Sequence, residues 1–215
     1  METLIMATRP RHRVRALIVL AAAVAVLGVV VWRVFAPPID APAYVDIRPD
    51  EADDGYASVT HSVFIEATPE QVWEWSNDPA LRLEDLVRFE NFPAVVGTEP
   101  LVGQWQPGQR EDDRRRVEFA DGHYLAEEVL IDSPERFRYM IWGFTSPQRF
   151  MVQHGIAEFT YTADGSGTRL TWAYTFLPTV EILRPAVESF LESTMSPMMR
   201  ETLAVMREGV ERSAG

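Results

Sequence analysis

A histidine and a glutamate four residues apart open the chemical reading of this chain. His123, Leu125 and Glu127 alternate with Tyr124, Ala126 and Glu128, and on a strand the first three share one face. Pointed into a dry cavity, the imidazole and the carboxylate could transfer a proton, with the Tyr174 phenol as a further acid or base. At a solvated sheet edge the same residues would only carry charge. The other histidines are His12, His61 and His154. They offer no HExxH or comparable spacing, and His61, His123 and His154 fall on separate expected strands, so neither a metal site nor a cofactor is expected. The chain has no Cys, which excludes disulfides, thiolate ligands and cysteine nucleophiles. Its 20 cationic side chains are all Arg, which excludes Schiff-base chemistry. No G-x-S-x-G elbow, P-loop or G-x-G-x-x-G is present, and Gly165 and Gly167 belong to a hairpin signal. Arg110, Glu111, Asp112, Asp113, Arg114, Arg115 and Arg116 form a mixed-charge run, expected to pair mutually at a solvated sheet edge.

A second set of residues is apolar. Met195, Met198, Met199 and Met206 place half of the 8 methionines on one expected helix, and methionine suits a wall that must fit variable apolar shapes. Together with Trp73, Tyr139, Trp142, Trp172 and Tyr174, three of them (Met195, Met198 and Met206) could line a pocket of roughly a few hundred Å³ for a small molecule. Ordinary core packing would use the same residue types.

These side chains need a scaffold, and the pattern after Tyr56 is strand, two short helices, six strands and a long helix. Val59, His61, Val63 and Ile65 alternate with Thr60, Ser62, Phe64 and Glu66, the period of a strand. Thr68 then reads as an N-cap, Pro69 as the first helical residue and Gln71 as the third, a capping box. Val72, Trp73 and Trp75 follow on a short amphipathic helix. Residues 79–89 read as a second short helix capped by Asp78, and 92–102 as extended. Residues 108–119 and 123–131 flank the hairpin dipeptide Asp121-Gly122. Residues 137–144 follow a Ser133-Pro134 turn, and 153–161 and 168–177 are joined by Asp164-Gly165-Ser166-Gly167. In the last strand Leu170, Trp172, Tyr174 and Phe176 face one way.

The final helix spans residues 182–212. Leu183, Val187, Leu191, Met195, Met198, Met206 and Val210 recur at three- to four-residue intervals or their multiples, apart from a slightly long central step. Pro197 should kink it. One apolar sheet face needs a cover, and this helix is the only element long enough. The expected fold class is α+β, a helix-grip in which a curved seven-stranded antiparallel sheet surrounds a long C-terminal helix.

Ahead of the domain, Ala16 to Trp32 is 17 uncharged, mostly apolar residues, and Val34 and Phe35 extend the run. As a helix it spans roughly 25 Å, near the lower limit for crossing a bilayer. Arg9, Arg11, His12, Arg13 and Arg15 precede it, which places the N-terminus in the cytoplasm and the domain on the periplasmic or extracellular side. The alternative is a signal peptide cleaved near Ala41-Pro42-Ala43, with secretion of the domain. The chain thus divides into a basic flank (1–15), a transmembrane or signal segment (16–35), a linker (36–55) and a domain (56–212). Pro37, Pro38, Pro42 and Pro49, with Asp50, Glu51, Asp53 and Asp54, make the linker a semi-rigid solvated spacer. The part beyond Tyr44 is acidic within a net charge of −12, so no nucleic-acid partner is expected.

The run Phe64-Ile65-Glu66-Ala67-Thr68-Pro69-Glu70-Gln71-Val72-Trp73, with Asp78 just after, resembles the start of the SRPBCC, or START-like, superfamily. It looks most like the polyketide cyclase/dehydrase and lipid-transport branch, over residues 56–212. The resemblance implies a sheet wrapped around the C-terminal helix and an enclosed apolar cavity. It also implies a ligand that is an apolar or amphipathic small molecule, lipids included. The superfamily shares no catalytic triad, so it assigns no catalytic residue. Three function classes follow: a membrane-tethered binding protein, an enzyme of the cyclase, dehydratase or hydrolase kind using His123, Glu127 or Tyr174, and a cell-envelope interaction module with a vestigial cavity.

Overall fold

The computed structural model describes residues 10–87 and 92–214, in two units that divide between Ala36 and Pro37. The first unit is helix α1, Pro10–Phe35. Its segment Leu17–Phe35, with a mean hydropathy of 2.6, is long and apolar enough to cross a membrane, a property that a signal sequence shares.

The second unit carries strands β1 (Ala57–Ile65), β2 (Val95–Val102), β3 (Arg114–Phe119), β4 (Tyr124–Asp132), β5 (Arg136–Trp142), β6 (Val152–Asp164) and β7 (Gly167–Pro178). Helices α2 (Pro69–Ser76) and α3 (Leu83–Leu86) follow β1, and α4 (Arg184–Phe190) and α5 (Ser196–Ala214) end the chain. The strands form one antiparallel sheet in the order β1-β7-β6-β5-β4-β3-β2. Strand β1 alone pairs out of sequence order, against β7, with Val59 opposite Tyr174 and Val63 opposite Leu170. This is the helix-grip architecture. Leu170, Trp172, Tyr174 and Phe176 of β7 share the concave face, as their alternation requires, and pack with Val187, Leu191, Met195, Met199, Leu203, Met206 and Val210 of the C-terminal helices.

Local chemistry explains where the elements begin and bend. Thr68 accepts from the Gln71 N–H while the Gln71 side chain accepts from the Thr68 N–H, the reciprocal cap expected from the sequence, with Pro69 in the first turn. The distortion expected at Pro197 takes the form of a π turn across Leu191–Met195. Proline offers no N–H to the carbonyl four residues back, and a widened turn relieves the clash with its ring. The second short helix shrinks to the single turn α3, and Asp78 instead accepts from the Ala80 N–H in a local turn. None of the α3 residues is fully buried, so no packed face carries helix beyond its nucleus. The last residues of the expected helix, from 88 on, lie outside the described residues.

Two stretches expected to lie free of the domain core are held against the sheet instead. Residues 42–56 lie along the convex face. Arg116 donates to the Pro42 carbonyl at 3.1 Å, Tyr44 donates to the Gly143 carbonyl at 2.8 Å, and Arg114 donates to the Asp46 carbonyl at 2.8 Å. Arg48 pairs with Glu128, and Arg138 with Glu51. Gly143, at φ 67°, leaves room that a Cβ would close, since one built there lies 2.5 Å from the Tyr44 ring. In the mixed-charge run Arg110 and Asp113 are buried and Arg114, Arg115 and Arg116 half-buried, because β2 and not β3 forms the sheet edge. Arg110, Arg114 and Arg115 pair with carboxylates of β4 instead of with the acids of the run. Arg114 stands opposite Glu128 and Arg115 opposite Glu127 in the register, and both pairs are ion pairs.

Arg110 precedes β3 in a turn and reaches deepest. Its guanidinium makes two bonds to the Asp132 carboxylate, at 2.8 and 3.0 Å, and a third to the Asn77 side chain at the end of α2. The Asp132 side chain is fully buried. Burial would raise its carboxyl, but the Arg110 hydrogen bonds and charge outweigh that, with help from backbone N–H groups, and hold it below the ordinary 3.8. Such a depressed carboxylate stabilises the fold fully above its ordinary value and loses that contribution as pH falls through the lower, folded-state value. Asp132→Asn is expected to destabilise the domain by about 3–5 kcal/mol by orphaning Arg110, read as a drop in the urea midpoint at pH 7. Below pH 4 the midpoint of the unmodified protein should fall more steeply than that of the variant.

Candidate functional site

The sheet and the C-terminal helices enclose a cavity of about 700 Å³. Strand β5 presents Phe137 and Tyr139 to it, β6 presents Phe159 and Tyr161, and β7 presents Trp172, Tyr174 and Phe176. Met195 at the end of the π turn, with Met198 and Met206 on α5, closes the helical side. Trp172 stacks on Phe159 with centroids 4.6 Å apart, and Tyr174 leans between Trp172 and Phe176.

Most of the residues singled out in the sequence meet here. Tyr139, Trp172, Tyr174, Met195, Met198, Met206, His123 and Glu127 all line the cavity, so the shared face of His123, Leu125 and Glu127 is the concave one. Trp142 and Trp73 do not line it. Trp142 follows Ile141 on β5, and alternation sends it to the convex face with Ala126, Met140 and Ile156, beneath Tyr44. Trp73 packs against the main core, with its ring under the Gly108 turn. His154 also lies on the convex side, bonded to the Tyr56 hydroxyl at 2.7 Å. His61 bonds to Ser196 on α5 at 2.8 Å.

The cavity has one polar wall. Arg115 bonds to Glu127 through Nε at 2.7 Å and Nη2 at 2.6 Å, and its guanidinium lies 4.2 Å over the Trp105 ring. Arg110, paired with Asp132, covers Phe137 at 4.3 Å. His123 Nδ1 lies 3.2 Å from the Thr145 hydroxyl. Burial, and then the charge of Glu127, push the Tyr139 phenol well above its ordinary value. Burial, then Tyr139 and Glu127, do the same for Tyr174. Both phenols therefore stay protonated at neutral pH and can donate to an oxygen of a bound molecule. Beside a carboxylate and an imidazole, this wall can hold and move a proton. Among the described residues, no group of three or more His, Cys, Asp or Glu side chains could hold a metal ion.

Trp105, Arg110, Arg115 and Tyr161 also line the cavity, beyond the residues that the sequence pattern singles out. Trp105 stands at φ 54°, and its N–H donates to the Asp113 carboxylate at 2.6 Å. That carboxylate fills the space beside Gly103, where a Cβ would lie 1.6 Å from Asp113 Oδ1. A left-handed tryptophan held by a buried carboxylate leaves no periodic trace in the sequence. Arg115 did leave one, since it lies two residues before Val117 and shares its inward phase.

The fold has many solved counterparts. Norcoclaurine synthase of Thalictrum flavum is 14% identical, with a TM-score of 0.59 over 77% of this chain and 100% of that one. The Zhui aromatase/cyclase of Streptomyces sp. R1128 is 18% identical, with a TM-score of 0.54 over 74% and 96%. A protein from Thermus thermophilus is also 18% identical, with a TM-score of 0.54 over 74% and 100%. At these identities the likeness establishes the fold alone. No curated protein matches the chain. Residues 56–211 match the family described as "Polyketide cyclase / dehydrase and lipid transport", and this chain belongs to that family.

Proposed function

We propose that this protein binds an apolar or amphipathic small molecule, such as a lipid, inside the sheet–helix cavity, and that α1 tethers it to a membrane with the domain on the periplasmic or extracellular side. The observation that carries the reading is the cavity itself: about 700 Å³ walled by aromatic rings and three methionines. That is the size and character of small-molecule sites. The methionines give the wall adaptability, and the paired Arg115 and Glu127 give one end polar contacts without net charge. The basic residues before α1 support the orientation.

A second reading is chemistry on the bound molecule. The observation in its favour is the cluster of Glu127, His123, Tyr139 and Tyr174 on one cavity. Two of the structural counterparts carry enzyme names, a synthase and an aromatase/cyclase.

Native mass spectrometry of the full chain, released from detergent micelles, tests both readings. The expected outcome is a stoichiometric small-molecule adduct. A clean apo mass, with no thermal shift on adding fatty acids or phospholipids, overturns the binding reading. Met198→Trp, which fills the helical side, is expected to lower adduct occupancy at least tenfold while costing about 1–3 kcal/mol of stability. If the adduct is recovered chemically altered from the unmodified protein but unaltered from Glu127→Gln, the second reading gains the site.

A further inference from the structure

On the other side of the helix from the cavity wall, a groove of about 240 Å³ runs between β1 and α5. It is lined by His61, Ser62, Val63, Arg200, Leu203, Ala204 and Arg207. Strand β1 is an edge strand paired on one side only, against β7, so the groove borders an open sheet edge. Arg200 and Arg207 lie seven residues apart on α5, two turns along one helix face. Both are exposed.

The cations of this groove lack the carboxylate partner that most of the domain's described arginines have. Arg48, Arg82, Arg110, Arg114, Arg115, Arg138, Arg169 and Arg184 each pair with a carboxylate. Among the described residues, Arg200 has only the Ser196 hydroxyl, at 2.7 Å, and Arg207 has no hydrogen bond or ion pair. The carboxylate of Glu211, one turn beyond Arg207, is engaged by the Glu66 N–H at 3.2 Å. In a chain of net charge −12, two guanidinium groups without a carboxylate partner beside one groove leave a local excess of positive charge.

His61, which also lines the groove, is tied to the same network. Ser196 Oγ accepts from Arg200 and lies 2.8 Å from His61 Nε2, so the hydroxyl proton is free to be donated to the imidazole. Burial, followed by the charge of Arg200, holds His61 below its ordinary value. Desolvation is the larger of the two causes, and the Arg200 charge acts in the same direction. Ser196 holds Arg200 by one of its nitrogens and leaves the rest of the guanidinium fork unused.

We propose that the groove between β1 and α5 is a binding site for a phosphate group, held by the guanidinium forks of Arg200 and Arg207 with His61 at its inner side. Guanidinium is planar, always charged and matched to phosphate oxygens in paired hydrogen bonds. The two cations on a single helix face supply the charge without side-chain rearrangement from buried ion pairs. Such a group could come from a phospholipid headgroup or from free phosphate. The site is separate from the cavity and does not rest on its occupancy.

The full chain in dodecyl maltoside is titrated with inorganic phosphate and, separately, with glycerophosphoglycerol, a phosphodiester headgroup without acyl chains. Sodium chloride at matched ionic strength is the control, and the His61 imidazole resonance provides a local readout. Saturable binding of inorganic phosphate, weakened at least tenfold in Arg207→Gln, supports the site with a free phosphate source. Binding of the headgroup mimic alone, with the same loss in the variant, supports the site with a lipid source. If neither probe binds beyond the chloride control, or Arg207→Gln binds as tightly as the unmodified protein, the proposal falls. Arg207 makes no contact that folding needs, so the variant's melting temperature should match the parent's within about 1 °C, in keeping with a neutral surface change.

Discussion

One helix must cover a face wider than itself. Seven strands at about 4.8 Å spacing span close to 30 Å, whereas a helix with its side chains is about 10–12 Å across. Curvature narrows the gap without closing it. Helix α5 therefore packs on β1 and joins the core through Met199, Leu203 and Val210, while the part of the concave face formed by β3, β4 and β5 stays uncovered by it. The space left over becomes the cavity. The aromatic rings on β5, β6 and β7 are large because they fill and line a surface that one helix cannot cover alone.

The same geometry explains why charges are found on an interior wall. Strands β3 and β4 lie far from α5, and their concave residues meet a cavity instead of a packed layer. Arg115 and Glu127 stand directly across the ladder and neutralise each other, and Arg110 and Asp132 do so beneath the Gly108 turn. A lone charge at either place would carry a desolvation cost of several kcal/mol. Pairing turns the wall polar but uncharged, which suits a ligand with a few oxygens and an apolar body.

Periodicity made the fold legible. The capping box at Thr68, the inward ladder of Leu170, Trp172, Tyr174 and Phe176, and the methionine face of the last helix are local patterns that tertiary structure had no reason to override. The site was legible only where it rode on those patterns, as with Glu127 on the phase of Leu125 and His123. At Trp142 strand phase outranks aromatic type, since a residue three positions from Tyr139 faces the other way. The charge run departs from its pattern for a different reason: edge and interior strands cannot be told apart until pairing order is known. Trp105 depends on a left-handed turn pinned by Asp113, which is a tertiary fact. The shortened α3 shows the converse, a helical pattern with no buried face to sustain it.

The strip of chain laid along the convex face has a mechanical consequence. Any tension applied at residue 36 reaches the sheet through a row of separate attachments before it reaches β1. The Pro42 carbonyl held by Arg116 comes first, then the Tyr44 hydroxyl on Gly143, the Asp46 carbonyl on Arg114, Arg48 on Glu128 and Glu51 on Arg138. Each can yield in turn and re-form. The strip thus works as a strain relief, like the clamp on a cable where it enters a housing, and the strand that closes the barrel-like grip is shielded from the pull.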